Sequence, residues 1–146
     1  MKRGRYPDAI ARIFGSGSYR AVYGIVRFYQ RSDGVMVGAE VEGLPRTETG
    51  FFAFHIHAGK SCGGEGFLDS GGHFNPGGEK HPNHAGDLPP LLSSGGKAYM
   101  KVLTGRFHVG EVIGRTVIVH ADPDDFHTQP SGNAGTKIAC GVIRKA

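Results

Sequence analysis

Apolar residues recur in this chain with a period of two, not 3.6, and only over short stretches cut by glycine. In residues 35–41, Val35, Val37, Ala39 and Val41 fall on one face while Met36, Gly38 and Glu40 fall on the other, the alternation of a strand that lays one side on a core. Similar segments run over 9–14, 23–30 and 51–57 and, after a long interruption, over 97–103, 107–109, 115–120 and 137–143. Asp33-Gly34 reads as the hairpin turn joining the second segment to the third. No helical window and no internal repeat stands out. The chain has 25 glycines in 146 residues, which favours turns, but they follow no three-residue period, so collagen is excluded. Nine Phe and five Tyr supply a core that a disordered chain lacks. Residues 1–146 are expected to form a single domain. About eight short strands with Gly-rich turns predict an all-β antiparallel sandwich or barrel carrying two long loops, 58–96 and 121–136.

The net charge is +4, from 17 Lys and Arg against 13 Asp and Glu. Apart from Lys2, Arg3 and Arg5 at one end and Arg144 and Lys145 at the other, the cations are scattered, and no basic stripe suited to nucleic acid forms. No apolar run approaches the ~18 residues of a membrane span. Residues 1–5 are charged like the start of a leader, but Tyr6, Pro7, Asp8 and Arg12 interrupt any apolar stretch. The absence of an export signal in the chain favours the cytoplasm, with an extracytoplasmic place expected if the N-terminus was trimmed.

The sharper oddity is eight His. His55 and His57 bracket Ile56 on an expected strand, so both imidazoles point to one side of it. In the long loop follow His73, His81, His84 and Asp87, three nitrogen donors and one carboxylate, a tetrahedral set that suits Zn(II). This loop has little apolar surface to offset the entropy of ordering it. His120 ends the apolar run 116–119 and adds a third nitrogen to the His55 and His57 pair. Imidazole-rich sites suit copper and zinc alike, and spacing does not choose between them. His127 and His108 read as surface histidines. Cys62 and Cys140, 78 positions apart, read equally well as buried free thiols or as a bridge.

Five segments carry a resemblance: A-F-H-I-H at 53–57, G-G-H-F-N-P at 71–76, H-A-G-D-L-P at 84–89, G-R-T-V-I-V-H at 114–120 and G-N-A-G-T-K-I-A-C-G-V-I at 132–143. In this order they resemble the Cu/Zn superoxide dismutase family. The resemblance implies an eight-stranded antiparallel Greek-key β-barrel with two long functional loops. It implies that His55, His57, His73 and His120 hold copper, that His73, His81, His84 and Asp87 hold zinc, and that His73 bridges the two as an imidazolate. It further implies that Asp124 links a copper-side to a zinc-side histidine, His55 to His81, and that Cys62 and Cys140 form a disulfide. A bridge of that kind shifts the expected compartment toward an oxidising one, or asks for kinetic protection of the bond.

The implied reaction is disproportionation of superoxide to dioxygen and hydrogen peroxide, with His73 and Lys137 as the catalytic residues. Lys137 stands where the family has an arginine; it keeps the charge that attracts an anion but loses the planar fork, so reduced activity is expected. The segment 125–131 is shorter than the charged loop of eukaryotic family members. The expected partner is the small superoxide anion, not nucleic acid or membrane, with room for a homodimer. The competing reading is a non-catalytic copper or zinc carrier, or a metal-stabilised structural module, on the same fold.

Overall fold

The computed structural model describes residues 5–146, and the basic start at Lys2 and Arg3 lies outside the described residues. The strands are β1 (Ala9–Gly15), β2 (Tyr23–Arg31), β3 (Gly34–Glu42), β4 (Phe51–Phe52), β5 (Phe54–His57), β6 (Leu91–Leu92), β7 (Ala98–Thr104), β8 (Thr116–His120) and β9 (Lys137–Lys145), with one helical turn, α1 (Val109–Val112). Seven of them form a curled antiparallel sheet in the order β5-β8-β9-β1-β2-β3-β7, and β4 pairs with β6. Because β4 runs into β5 across Ala53, and β6 leads into β7, this short pair links the two edges of the sheet. Counting β4 and β5 as one interrupted strand gives eight staves, as the resemblance implies.

The inventory of staves differs from the expected one in one place. Residues 107–109 are not a strand: Phe107 and Val109 are buried, but the chain turns into α1, where the His108 N–H donates to Glu111 Oε1 at 2.9 Å. Two buried residues two apart fit a strand or the approach to a helical turn equally well. The missing stave is β6, whose two residues are too few to show a period. The hairpin turn also lies one residue earlier than expected, at Ser32-Asp33, since Arg31 pairs with Gly34.

The expected inward face of β3 is buried throughout: Val35, Val37, Ala39 and Val41 pack with Val26 and Phe28 of β2 and with Phe54 and Ile56 of β5. Each Val, Ile or Phe side chain buried in this way stabilises the fold by about 1.5–3 kcal/mol. On β5 and β8 the outward face is buried as well, because loops 58–96 and 121–136 lie across it. There His55 pairs with Ile118 and His57 with Thr116, and His120 closes the strand. A second small cluster of Phe67, Ile118 and Cys140 sits on this outer side.

The 58–96 loop is anchored along the free edge of β5. Phe74 N donates to Ile56 O (2.8 Å), Ile56 N to Gly86 O (2.8 Å) and Ala58 N to Gly72 O (2.8 Å). Gly86 is required there, since a Cβ would run into the Ile56 carbonyl. The loop is also covalently tied, Cys62 to Cys140 of β9. Among the described residues no helix is long and apolar enough to cross a membrane.

Candidate metal centre

The period of β5 places His55 and His57 on its outer side, β8 delivers His120 beside them, and the anchored loop brings His73, His81, His84 and Asp87 over the top. The structure therefore gathers every one of the seven expected side chains. Ligand-type atoms of His55, His57, His73 and His120 lie within 4.8 Å of one another, as do those of His55, His73, His81 and Asp87. His55 enters the second set because its ring centre is only 4.0 Å from that of His73; its Nε2 is committed elsewhere. His84 belongs to the cluster by its own contacts, with Nδ1 3.1 Å from His73 Nδ1 and 3.1 Å from Asp87 Oδ2.

The outward-facing nitrogens set the tautomers. His57 Nδ1–H donates to the Gly71 carbonyl (2.7 Å) and His120 Nδ1–H to the Gly135 carbonyl (3.2 Å). His55 Nε2–H and His81 Nε2–H each donate to one oxygen of Asp124, both at 2.8 Å. A carbonyl or carboxylate accepts only, so the proton sits on the nitrogen that faces it, and the remaining nitrogen of each neutral ring presents a lone pair inward. His57 Nε2 and His120 Nε2 thus meet lone pair to lone pair at 3.2 Å. His81 Nδ1 lies 3.1 Å from Asp87 Oδ2, again two acceptors.

Among the described residues, the buried polar side-chain atoms without a hydrogen-bond partner are His55 Nδ1, His73 Nε2, His81 Nδ1 and Asp87 Oδ1. Leaving such atoms unsatisfied costs about 1–3 kcal/mol each. All four are in this one place, and a shared cation is what relieves them. A tetrahedral zinc with Zn–N of about 2.0–2.1 Å separates its donor atoms by roughly 3.3 Å, close to the spacings found. The donor set fits two metals.

His73 faces both halves. Its Nδ1 is 2.8 Å from Asp87 Oδ1 and 3.1 Å from His84 Nδ1. That leaves the unpartnered Nε2 for the His55, His57 and His120 side, where its ring centre lies 4.0, 4.9 and 6.2 Å from theirs.

Burial favours the neutral form of four of the rings. Desolvation lowers His55 and His84 below the usual histidine range and takes His57 to about 2 and His120 to about 3. For the carboxyls, burial pulls upward but is outweighed. His73, with His81 and His84, holds Asp87 low, and the hydrogen bonds from His55, His81 and the Phe126 N–H bring Asp124 to about 2. Lone pairs and carboxylates are therefore available over the whole neutral range.

Lys137, at the start of β9, donates from Nζ to Ser70 Oγ (2.7 Å) and to the Gly71 carbonyl (2.8 Å), the same carbonyl that accepts from His57. Desolvation lowers its pKa. His127 is 81% exposed and His108 is exposed, both apart from the centre.

Four further residues were not singled out from the sequence: Ser70, Gln129, Arg106 and Gly132. A Cβ on Gly132, whose φ is +73°, would land on Asp124 Oδ1 and His81 Nε2. Only its place in the G-N-A-G segment hinted at it. The others act on backbone or on Lys137 and carry no spacing signal.

The family model for copper/zinc superoxide dismutase matches residues 22–143. Superoxide dismutase [Cu-Zn] A of Xenopus laevis is 38% identical over 152 aligned positions, covering 92% of this chain and 95% of the relative. Superoxide dismutase [Cu-Zn] 2 of Aquifex aeolicus (strain VF5) is 36% identical over 141, covering 84% and 80%. Superoxide dismutase [Cu-Zn] of Legionella pneumophila is 33% identical over 145, covering 94% and 87%. With the β-barrel and its paired histidine clusters, these matches place the chain in the copper/zinc superoxide dismutase family.

Proposed function

We propose that the chain disproportionates superoxide, two superoxide anions and two protons giving one dioxygen and one hydrogen peroxide. In this reading His55, His57, His73 and His120 hold copper, and His73, His81, His84 and Asp87 hold zinc. Copper supplies one-electron redox chemistry at the first position, and zinc a redox-inert charge at the second. The observation that carries the reading is the convergence of buried ring nitrogens: those of His55, His57, His81 and His120 are proton-free because their N–H groups point outward, and His73 lies between them. A carrier or structural module needs one closed set, whereas here a second set of strand-borne imidazoles stands beside the zinc-type one.

The chain's own residues have three tasks. His57, His55 and His120 are held rigid by β5, β8 and the outward hydrogen bonds, so the copper side keeps its shape through turnover. His73 Nε2 holds and releases the proton that the peroxide product needs, while its Nδ1 stays fixed against Asp87 and His84. Lys137 attracts the anion: two of its three N–H groups go to Ser70 and Gly71, leaving one for superoxide. Its single-point donation replaces the two-donor fork of an arginine. Assembly into a homodimer is part of the reading and is tested by sedimentation equilibrium.

The test of the reading is the decay of pulse-generated superoxide. Metal-loaded protein is expected to accelerate it, and His57→Ala to return it to the protein-free rate. Equal decay with both proteins overturns the reading.

A further inference from the structure

Two side chains outside the ligand sets hold the backbone of the zinc-side loop. Gln129 lays its carboxamide against the peptide of His81: the His81 N–H donates to Oε1 at 2.9 Å, and Nε2 donates to the His81 carbonyl at 2.7 Å. The same Nε2 donates to the His127 carbonyl at 3.1 Å. Arg106, in the connection after β7, donates from Nη1 to the carbonyls of Pro82 (2.6 Å) and His84 (3.2 Å). The carbonyls of His81, Pro82 and His84 are thus each capped by a side chain from a distant loop.

The need for these caps follows from the backbone. Between Lys80 and Asp87 there is no helix or strand; the segment's own bonds are two backbone turns, Asn83 N to Lys80 O (2.7 Å) and Asp87 N to His84 O (3.1 Å), and one from the His84 N–H to Asp87 Oδ2 (2.9 Å), none of which holds the His81 or Pro82 carbonyl. His55, His57 and His120 sit on strand ladders and need no such help. A ligand on an irregular loop contributes affinity only after the loop's entropy has been overcome, and groups that order it beforehand raise affinity without touching the ion.

We propose that Gln129 and Arg106 are positioning residues that set zinc affinity by fixing the main chain at His81 and His84. This rests on the ligand assignment above. Asp124 orients the His81 ring through its side chain; Gln129 and Arg106 act on the peptide groups, an independent restraint.

The experiment titrates full-length, metal-free protein with Zn(II) against a chromophoric chelator, and separately with Cu(II). Cobalt(II) in the zinc position serves as a spectroscopic reporter of ligand geometry. Gln129→Ala and Arg106→Ala are each expected to weaken zinc binding by about 10-fold or more, to alter the cobalt spectrum and to leave copper affinity unchanged. Gln129→Glu, which removes the donor to the His81 carbonyl but keeps the shape, should weaken zinc as well, and Arg106→Lys should recover most of the loss. Each residue is judged on its own variant. Unchanged zinc affinity, or zinc and copper affinities falling by one common factor, overturns its role. His84→Ala separates the two layers: zinc affinity untouched in that variant refutes the ligand assignment itself, while zinc lost there but kept in the two alanine variants refutes only the positioning.

Discussion

At the level of single residues, the chemistry depends on where protons are kept. Gly71, Gly135 and Asp124 accept every outward N–H of four rings, so inward lone pairs exist before any metal arrives. His73 alone has both nitrogens directed at the cluster. Removing it should impair the independence of turnover from pH more than it impairs copper affinity; His73→Ala is expected to show a rate that falls with rising pH, and a profile as flat as the wild type would contradict the proton role. In the proposed reaction Lys137 acts by its charge at a distance and by its donor geometry at contact. Lys137→Ala should lower the rate by about tenfold or more and flatten its dependence on ionic strength, whereas Lys137→Arg should raise it. A rate and salt slope untouched by either change would remove Lys137 from the mechanism. Ser70→Ala tests the tether: it leaves the ammonium held by the Gly71 carbonyl alone and is expected to give an intermediate loss of rate.

At the level of elements, two loops fold onto the outside of β5 and β8, and their attachment points decide whether the site assembles. The disulfide closes a loop of 78 positions, and by the chain-entropy model its removal costs about 4 kcal/mol. Cys62→Ser is therefore expected to lower the melting temperature of the metal-free protein by roughly 10 °C, read by calorimetry. An unchanged melting temperature would mean that the loop is held by other contacts alone. Gly132 shows the finer fit, because any side chain there displaces the Asp124 link.

The strands that carry the proposed ligands are legible because period two on β5 puts His55 and His57 on one side whatever the rest of the chain does. β6 was not legible, since Leu91 and Leu92 show no alternation, and 107–109 was misread because Phe107 and Val109 are buried beside a helical turn. Within the site, a ligand histidine announces itself by residue type and spacing. Gln129 and Arg106 do not, because they act on carbonyls that every residue possesses, and only the folded loops bring them within reach. The pairing of Cys62 with Cys140 and the double contact of Asp124 likewise needed more than spacing.

At the level of the whole molecule, a barrel packed on its inside carries a second, polar interior on its outside, and that interior responds to pH. His57 near 2 and His120 near 3 in the folded chain compare with about 6.5 unfolded. Between those values the unfolded chain binds more protons, so stability rises with pH and is fully present above about 6.5. The metal-free protein is accordingly expected to lose melting temperature steadily as pH falls from 7 to 4; a constant melting temperature over that range would refute the neutral, buried state of these rings. The central claim, that one redox-active copper works beside one inert zinc, is tested most directly by adding copper stepwise to zinc-loaded protein and following superoxide decay together with bound metal. The account predicts catalysis that rises linearly and stops at one copper per chain. Stoichiometric copper binding that leaves the lifetime of superoxide unchanged would contradict it.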